Sequence, residues 1–275
     1  MRVCGANISP IFSLYNSPER KASSALAETN KGEPYIHATD PDGSVHRLWS
    51  IEDSDTISRI SMELQGKAIF IADGHHRYET ALEYQKEMRQ KEGEPETVRP
   101  YDYVLMFLAN MSEEGLTILP THRLVKNIPP DALERLSADF EIREMTDFNI
   151  PVSIAGQRDI FGLYKGGDSW YKLSYRGKGI PHAAPALKYL DVTVLHELIF
   201  SRLGVSDHIG YEMDAGRCIE LVKEGNFKAA FFLNPTQVED VERVALASLR
   251  MPPKSTYFYP KLMTGMVLNL FNNTL

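Results

Sequence analysis

The sequence predicts a mixed α+β fold, and three of its patterns carry that prediction. An apolar run at 68–72 stops abruptly at Asp73 and is followed by a helix-like segment. Turn signals at 40–43 and 165–168 each lie between β-like segments, as in hairpins. Between 191 and 249, segments with helical periodicity alternate with short apolar segments, which is typical of an α/β unit.

Composition and charge are those of an ordinary globular protein. The 275 residues are 43% hydrophobic and 24% charged, and their number suggests roughly two domains. A net charge of −7 and the lack of a Lys/Arg block disfavour nucleic acid as a partner. The sequence has no apolar run of membrane-spanning length, and Cys4 and Cys218 lack the spacing of a disulfide framework or zinc site. We therefore expect a cytoplasmic protein with a small-molecule substrate and no membrane partner, and a homo-oligomer is compatible with this composition.

The first half of the chain is predicted to contain strands and helices around one hairpin. Pro18 suits the first turn of a helix, where its missing N–H costs no hydrogen bond. The segment 40–43 (DPDG) predicts a turn, since proline fixes φ and glycine accepts positive φ. Ile57, Ile60 and Leu64 follow the spacing of one helix face. The predicted elements are strands at 8–15, 67–72 and 103–109, a partner strand for the last at 116–119, hairpin strands at 35–39 and 44–51, helices at 18–30 and 54–65 and from 78 toward 91, and an exposed loop at 89–96.

The second half is predicted to contain a hairpin followed by the alternating α/β unit. A polar segment with Gly and Pro at 176–186 is interpreted as a linker and a soft boundary. The predicted domains are 1–110, which carries the 73–77 motif, and 111–275, a mixed α/β region. The predicted elements are a helix at 131–139, hairpin strands at 160–164 and 170–175, helices at 191–203, 215–224 and 236–249, and strands at 208–213 and 227–233.

Residues 73–77 supply a carboxylate, a glycine, two imidazoles and a guanidinium at the predicted strand-to-helix junction. Gly74 lets the backbone approach a ligand, and the helix start offers unpaired N–H groups to an anion. Arg77 can bind a phosphate with two parallel hydrogen bonds, and Asp73 can hold Mg²⁺ or accept a proton. The alternative is that Asp73 caps the helix and that His75 and His76 are surface residues, but capping uses neither histidine nor arginine.

Two further clusters could bind phosphate. The segment 120–123 (PTHR) adds a His/Arg pair whose arginine is Arg123, unless these are solvated residues at a strand end. The segment 251–256 (MPPKST) places Lys254 beside Ser255, although a P-loop would require glycines and a following helix. The alternative for this segment is an ordinary loop in which a lysine occurs by chance.

The chain resembles the DUF1015 family of bacterial and archaeal proteins. Its motif at 73–77 is similar to that of the ParB/sulfiredoxin-like superfamily, in which the free-serine kinases are the closest functional analogy. Those enzymes phosphorylate L-serine to O-phosphoserine with a nucleotide or pyrophosphate donor. The segments that carry the resemblance are Ile8–Phe12, His46–Trp49, Ile71–Arg77, His122–Val125, Leu190–Val192 and Met251–Lys261.

The resemblance implies a ParB/sulfiredoxin-like N-terminal part, a second α/β part and a set of site residues. It implies catalytic roles for Asp73, His75 and His76, with Asp73 also as a Mg²⁺ ligand. Together with the residue chemistry above, this leads us to expect that phosphate or nucleotide is bound by Gly74, Arg77, Arg123, Lys254 and Ser255. The family pattern also includes an earlier N-terminal region with a His-Glu segment, and this chain begins after it. We therefore expect either a fragment or a short form that lacks part of the active site, with weak or absent catalysis.

Three functions agree with these features. The first is a phosphotransferase acting on a small hydroxyl substrate, L-serine in the first place, with a nucleotide or pyrophosphate donor. The second is a non-enzymatic nucleotide-binding or ParB-like regulatory protein. The third is a metal hydrolase of the phosphoserine phosphatase type, which would use the same residues.

Overall fold

The chain divides into two compact units, one of which is inserted into the other. The computed structural model describes residues 1–41, 43–93, 96–113, 115–146, 150–177 and 179–271. The first unit is Met1–Leu116 with Pro260–Leu275, and the second is Thr117–Tyr259. Helices and several sheets occur together, which confirms the predicted mixed α+β fold. The predicted division at 110/111 stays a prediction, and Asp42 of the predicted turn and Lys178 of the predicted linker lie outside the described residues.

The first unit is built on a three-stranded sheet in the order β5-β2-β6. Strand β2 lies in the middle, antiparallel to β5 and parallel to β6, and all five of its residues are buried. The elements are β1 (Ala6–Asn7), β2 (Ile11–Tyr15), α1 (Lys21–Thr29), β3 (Ile36–Thr39), β4 (Val45–Leu48), α2 (Ser54–Leu64), β5 (Ile69–Asp73), α3 (His75–Glu92), a 3₁₀ turn (Pro100–Asp102), β6 (Met106–Asn110) and, near the end of the chain, β15 (Asn269–Leu270), which pairs with β1.

Helix α3 continues into the segment predicted as an exposed loop at 89–96. It ends at Glu92, so the loop prediction is wrong for its first four residues. Asp102 of the 3₁₀ turn accepts hydrogen bonds from Gln85 at 2.8 Å and from Arg89 Nη2 at 3.0 Å. Side chains four residues apart lie on one helix face, so both contact the same carboxylate, which links the end of α3 to the 3₁₀ turn.

The second unit is built on a six-stranded sheet in the order β12-β8-β13-β10-β11-β9, with every pair antiparallel. Its elements are β7 (Thr117–Leu119), β8 (His122–Val125), α4 (Ala132–Ser137), β9 (Phe140–Met145), α5 (Ile150–Ile154), β10 (Ile160–Tyr164), β11 (Trp170–Tyr175), α6 (Asp191–Val194), which runs through a π-helical segment (Leu195–Phe200) into α7 (Ser201–Leu203), then β12 (Gly210–Glu212), α8 (Ala215–Lys223), β13 (Ala229–Phe232), α9 (Val238–Leu246) and β14 (Tyr257–Tyr259).

The predicted helix–strand alternation is present, but an earlier strand separates its two strands. Strands β12 and β13 are joined through α8, and each is antiparallel to β8, which lies between them. This is a βαβ connection split by an inserted strand. All four residues of β8 are buried. The first two of them, His122 and Arg123, therefore lie in the middle of a sheet.

The segment 116–119 does not pair with the strand after residue 103, so that prediction is wrong. Strand β7 instead pairs with β14, from Tyr257↔Leu119 to Tyr259↔Thr117. The first and last strands of the second unit are therefore the two strands of one antiparallel ribbon.

Asp191, the first residue of α6, is a partly buried carboxyl group near two other carboxylates. Its Oδ1 accepts the N–H of Asp159 at 2.9 Å. Its pKa is raised to about 6, mainly by burial; the carboxylates of Asp159 and Asp240 act in the same direction, and the Asp159 N–H and Arg158 oppose it. Because its pKa is higher than in the unfolded chain, the folded state binds this proton more tightly. Its contribution to stability is therefore present at about pH 4 and is lost as the pH rises through about 6.

Replacing Asp191 with asparagine is expected to stabilise the second unit at neutral pH. The amide keeps an acceptor oxygen for Asp159 and removes a buried charge, so the free energy of unfolding should rise by about 1–2 kcal/mol at pH 7. Urea unfolding of Asp191→Asn measures this change, and Asp207→Asn, at an exposed aspartate of the same unit, is the control. A loss of stability at pH 7 would contradict the assignment.

Candidate functional site

A β-bulge precedes the 73–77 motif. Phe12 of β2 pairs with Asp73, but the next residue, Ser13, pairs with Ile71, so the ladder skips Ala72. An extra residue on one strand bends it and redirects the side chains that follow. Asp73 therefore leaves the sheet at its edge, and more than half of its side chain is exposed.

Gly74 turns the chain from the strand into helix α3. Its backbone is left-handed, with φ 96° and ψ 24°, a conformation that glycine adopts without strain. The first intrahelical hydrogen bond runs from the N–H of Tyr78 to the carbonyl of Gly74 at 3.0 Å. Among the described residues no side chain caps this helix, so the interpretation of Asp73 as its cap is wrong. The N–H groups of residues 75–77 form the positive end of an 18-residue helix.

The two histidines of the motif are open to solvent. His75 is exposed, and the side chain of His76 is 97% exposed. His76 Nδ1 lies 3.3 Å from Glu79 Oε2, three residues along the helix. Successive helical residues point about 100° apart, so the two rings diverge around the helix start.

The Arg77 side chain folds back onto the turn that precedes it. Its Nη2 donates to Asp73 Oδ2 at 3.0 Å, and its Nη1 donates to the backbone carbonyl of Pro10. Its guanidinium also lies close beside Gly74. The structure therefore brings all five residues of the motif together, with the arginine directed at protein groups.

The donor set of the motif does not form a resident Mg²⁺ site. Asp73 is its one carboxylate and is engaged by Arg77. Over the described ranges, no three side chains of His, Cys, Asp or Glu come together as metal ligands. Mg²⁺ commonly binds through one or two carboxylates and the phosphates of a substrate. A Mg²⁺ role for Asp73 stays a prediction and would need a bound polyphosphate.

Arg123, in the second unit, is completely buried. Its Nη2 donates to the carbonyl of Lys254 at 2.9 Å, its Nη1 to the carbonyl of Thr121, and its Nε to His196 Nε2 at 3.4 Å. Its Cζ lies 4.9 Å from the centre of the Tyr211 ring. Burial lowers its pKa to about 10, still far above neutrality. These contacts make Arg123 part of the core, with no surface for a phosphate in this structure.

Two histidines beside Arg123 are held in the neutral form. Burial first, and then the Arg123 charge, lower the pKa of His122 to about 4. Burial and then Arg123 likewise lower the pKa of His196 to about 4. His122 packs on Phe232 with ring centroids 5.0 Å apart, and its buried Nδ1 has no hydrogen-bond partner among the described residues.

Lys254 and Ser255 form a tight turn in the same unit. The Ser255 hydroxyl donates to the carbonyl of Pro252 at 2.5 Å, and its own carbonyl accepts from Thr236 at 2.8 Å. Lys254 is exposed and has a left-handed φ of 58°. The Ser255 hydroxyl is thus engaged within the turn, while the Lys254 ammonium is open to solvent.

Glu79 and Pro10 contact side chains of the motif and were not among the predicted site residues. Glu79 could have been found, because its spacing of three from His76 predicts contact on a helix. Pro10 carried no such signal, since its carbonyl lies 67 positions from Arg77 in the sequence.

Comparison with known proteins gives one family and several distant structures. A family model described as a protein of unknown function (DUF1015) matches residues 1–193. No curated protein matches the sequence significantly.

Within the described ranges, none of the helices combines the length and apolar character needed to cross a membrane.

Among solved structures, a conserved hypothetical protein from Pyrococcus furiosus is 15% identical, with 94% of this chain and 93% of that chain covered and a TM-score of 0.42. A free serine kinase in complex with AMP is 14% identical, with coverages of 92% and 89% and a TM-score of 0.41. A mutant free serine kinase in complex with ADP is 15% identical, with coverages of 92% and 87% and a TM-score of 0.40. TM-scores this low do not establish a common fold, so these matches are similarities only.

Proposed function

The chain belongs to the DUF1015 family of proteins of unknown function, and we propose that it is a phosphotransferase. It would bind a nucleotide or pyrophosphate at the start of α3 and transfer a phosphoryl group to a small hydroxyl substrate. L-serine is the first acceptor to test, because the motif resembles that of the free-serine kinases.

One observation carries this proposal: the start of α3 is open and has two exposed histidines beside it. Uncapped N–H groups at a long helix bind anions through hydrogen bonds and the helix dipole. Left-handed Gly74 removes side-chain bulk from the approach to these groups. His75 and His76 add imidazole N–H donors that can reach phosphate oxygens.

The transfer would use Asp73 as the base. The acceptor hydroxyl oxygen attacks the terminal phosphorus of the donor and passes its proton to the Asp73 carboxylate. The bond between that phosphorus and the bridging oxygen breaks, and the remaining phosphate leaves with the bond electrons. Arg77 engages Asp73 Oδ2, so we assign Oδ1 to the acceptor hydroxyl. Such reactions depend mainly on positioning and charge neutralisation, which Mg²⁺ arriving on the donor would complete.

The purified protein is expected to form O-phosphoserine from L-serine and at least one of ATP, ADP and pyrophosphate. His75→Ala and His76→Ala should each lower kcat/KM for the donor by about 10–100-fold, because each removes a polar group beside the developing charge. Phosphorus NMR of the product measures both effects. His37→Ala, at an exposed histidine of β3, is the matched control and should leave turnover unchanged.

The pairing of Asp73 with Arg77 favours a second candidate, a module that binds nucleotide without turnover. A base engaged by an arginine is less available to an acceptor hydroxyl. This candidate predicts calorimetric binding of ATP or ADP, weakened by His75→Ala, together with no phosphoserine from any donor. Absence of both binding and turnover would exclude both candidates. Phosphate release from O-phosphoserine, abolished by a chelator, would instead identify the metal hydrolase.

A further inference from the structure

Arg77 connects three elements of the first unit. Its Nη1 bonds to the carbonyl of Pro10, the residue before β2, and its Nη2 bonds to Asp73, the last residue of β5. Arg77 itself belongs to the first turn of α3. The β2–β5 ladder ends at the pair Phe12↔Asp73. The guanidinium therefore extends the contact between the two strands beyond their last pair and ties both to the helix start.

Gly74 provides the space in which this guanidinium lies. A Cβ at position 74 would come within 2.8 Å of Arg77 Nε, 2.9 Å of Nη2 and 3.0 Å of Cζ. Two of these distances are shorter than any ordinary contact of a Cβ atom, so the end of the Arg77 side chain would have to shift. Any other residue at 74 would displace the Arg77 side chain, in addition to the backbone strain at a φ of 96°. The two positions are thus coupled by direct contact.

We propose that Arg77 is a positioning residue, and that the donor phosphate is bound by the helix N–H groups, His75 and His76. Arg77 would act through Asp73, whose carboxylate it orients, and through the turn that it ties to β2. A guanidinium moved to grip the phosphate would give up both the Pro10 carbonyl and the Asp73 carboxylate. The kinetic part of this inference rests on the proposed function, and its structural part stands on the contacts alone.

The kinetic test separates positioning from phosphate binding. Arg77→Lys keeps the charge but loses the planar fork that spans Pro10 and Asp73. We expect kcat to fall by about 10–100-fold while KM for the donor changes by less than about threefold, because orientation is lost and ground-state binding is kept. Arg47→Lys, at an exposed arginine of β4, is the control. A rise in donor KM of more than about tenfold with kcat unchanged would overturn the proposal.

The structural test is a double-mutant cycle of Gly74→Ala and Arg77→Met, read by thermal unfolding. Each single change should lower the Tm by about 3–6 °C. The double variant should fall by little more than the larger single change, since alanine at 74 already displaces the guanidinium. Additive losses would overturn the coupling.

Gly66→Ala is the matched control for the backbone strain that an alanine causes at a left-handed φ. Gly66 also has a left-handed φ, 75°, but an added Cβ there meets no atom within 4 Å. Its effect should add to that of Arg77→Met. The cycle needs no substrate, so it gives an answer even if the chain transfers no phosphate. A failure of the proposed coupling between Gly74 and Arg77 can therefore be distinguished from a failure of the proposed function.

Discussion

Replacing Arg123 with alanine is expected to lower the free energy of unfolding of the second unit by about 3–5 kcal/mol. The change leaves two carbonyls, of Thr121 and Lys254, without their donor and opens a cavity where a fully buried side chain lay. Urea unfolding followed by the emission of Trp170, in a Trp49→Phe background, reports on this unit alone. Arg143→Ala, at an exposed position of β9, is the control and should cost well under about 1 kcal/mol.

Replacing Arg123 with methionine separates the contribution of side-chain packing from that of the buried charge. It fills most of the volume and removes a guanidinium whose burial costs about 3 kcal/mol, given a pKa of about 10. It still leaves the two carbonyls unpaired, at about 1–3 kcal/mol each. These effects nearly cancel, so Arg123→Met should lose only about 0–2 kcal/mol. A loss as large as that of alanine would mean that the charge itself stabilises the core.

Acidification is expected to destabilise the second unit, mainly through His122. In the unfolded chain its pKa is near 6.5, and in the folded state it is about 4. Stability from this group is therefore present above pH 6.5 and is lost as the pH falls toward 4, by at most about 3 kcal/mol. His196, which is less buried, adds about 1–2 kcal/mol in the same direction. Asp191 acts in the opposite direction: on acidification it adds about 1–2 kcal/mol to the free energy of unfolding, so the three groups together still lower it.

His122→Leu should remove most of this acid sensitivity. Leucine has a similar volume and cannot take up a proton, so the loss between about pH 7 and pH 4.5 should shrink by about 2 kcal/mol. Urea unfolding at the two pH values measures this difference. His182→Leu, at an exposed histidine of the same unit, should leave the pH dependence as it is. An unchanged acid loss in His122→Leu would contradict the assignment to this residue.

Local signals predicted the elements around the motif well. Helix α2 follows from the spacing of Ile57, Ile60 and Leu64, and the Asp53 carboxylate caps it by accepting the Thr56 N–H at 2.8 Å. Strand β5 and helix α3 follow from an apolar run that stops at Asp73 and is followed by Gly74 and a helix-like segment. In each case the interactions that determine the element join residues close together in the sequence, so local propensity and residue spacing are enough to predict it.

Interactions between distant segments were not predictable in the same way. Strand Thr117–Leu119 pairs with Tyr257–Tyr259, and neither segment carries a sequence signal that predicts this pairing. Arg123 was predicted to bind phosphate because it forms, with His122, a second His/Arg pair in addition to that of the 73–77 motif. Its burial depends on carbonyls of Thr121 and Lys254, the second of them 131 positions away. Residue types alone thus pointed to the 73–77 motif, but they did not predict that Arg123 is a buried residue of the core.

The insertion of one unit into the other also sets an order of events during synthesis. Residues 117–259 leave the ribosome as a continuous stretch and can fold as soon as they emerge. The unit with the 73–77 motif must wait for residues 260–275, whose strand β15 pairs with β1. The first unit thus needs segments from both sides of the inserted unit, and a chain cut between Tyr259 and Pro260 would keep the second unit continuous while leaving β1 without its partner strand β15.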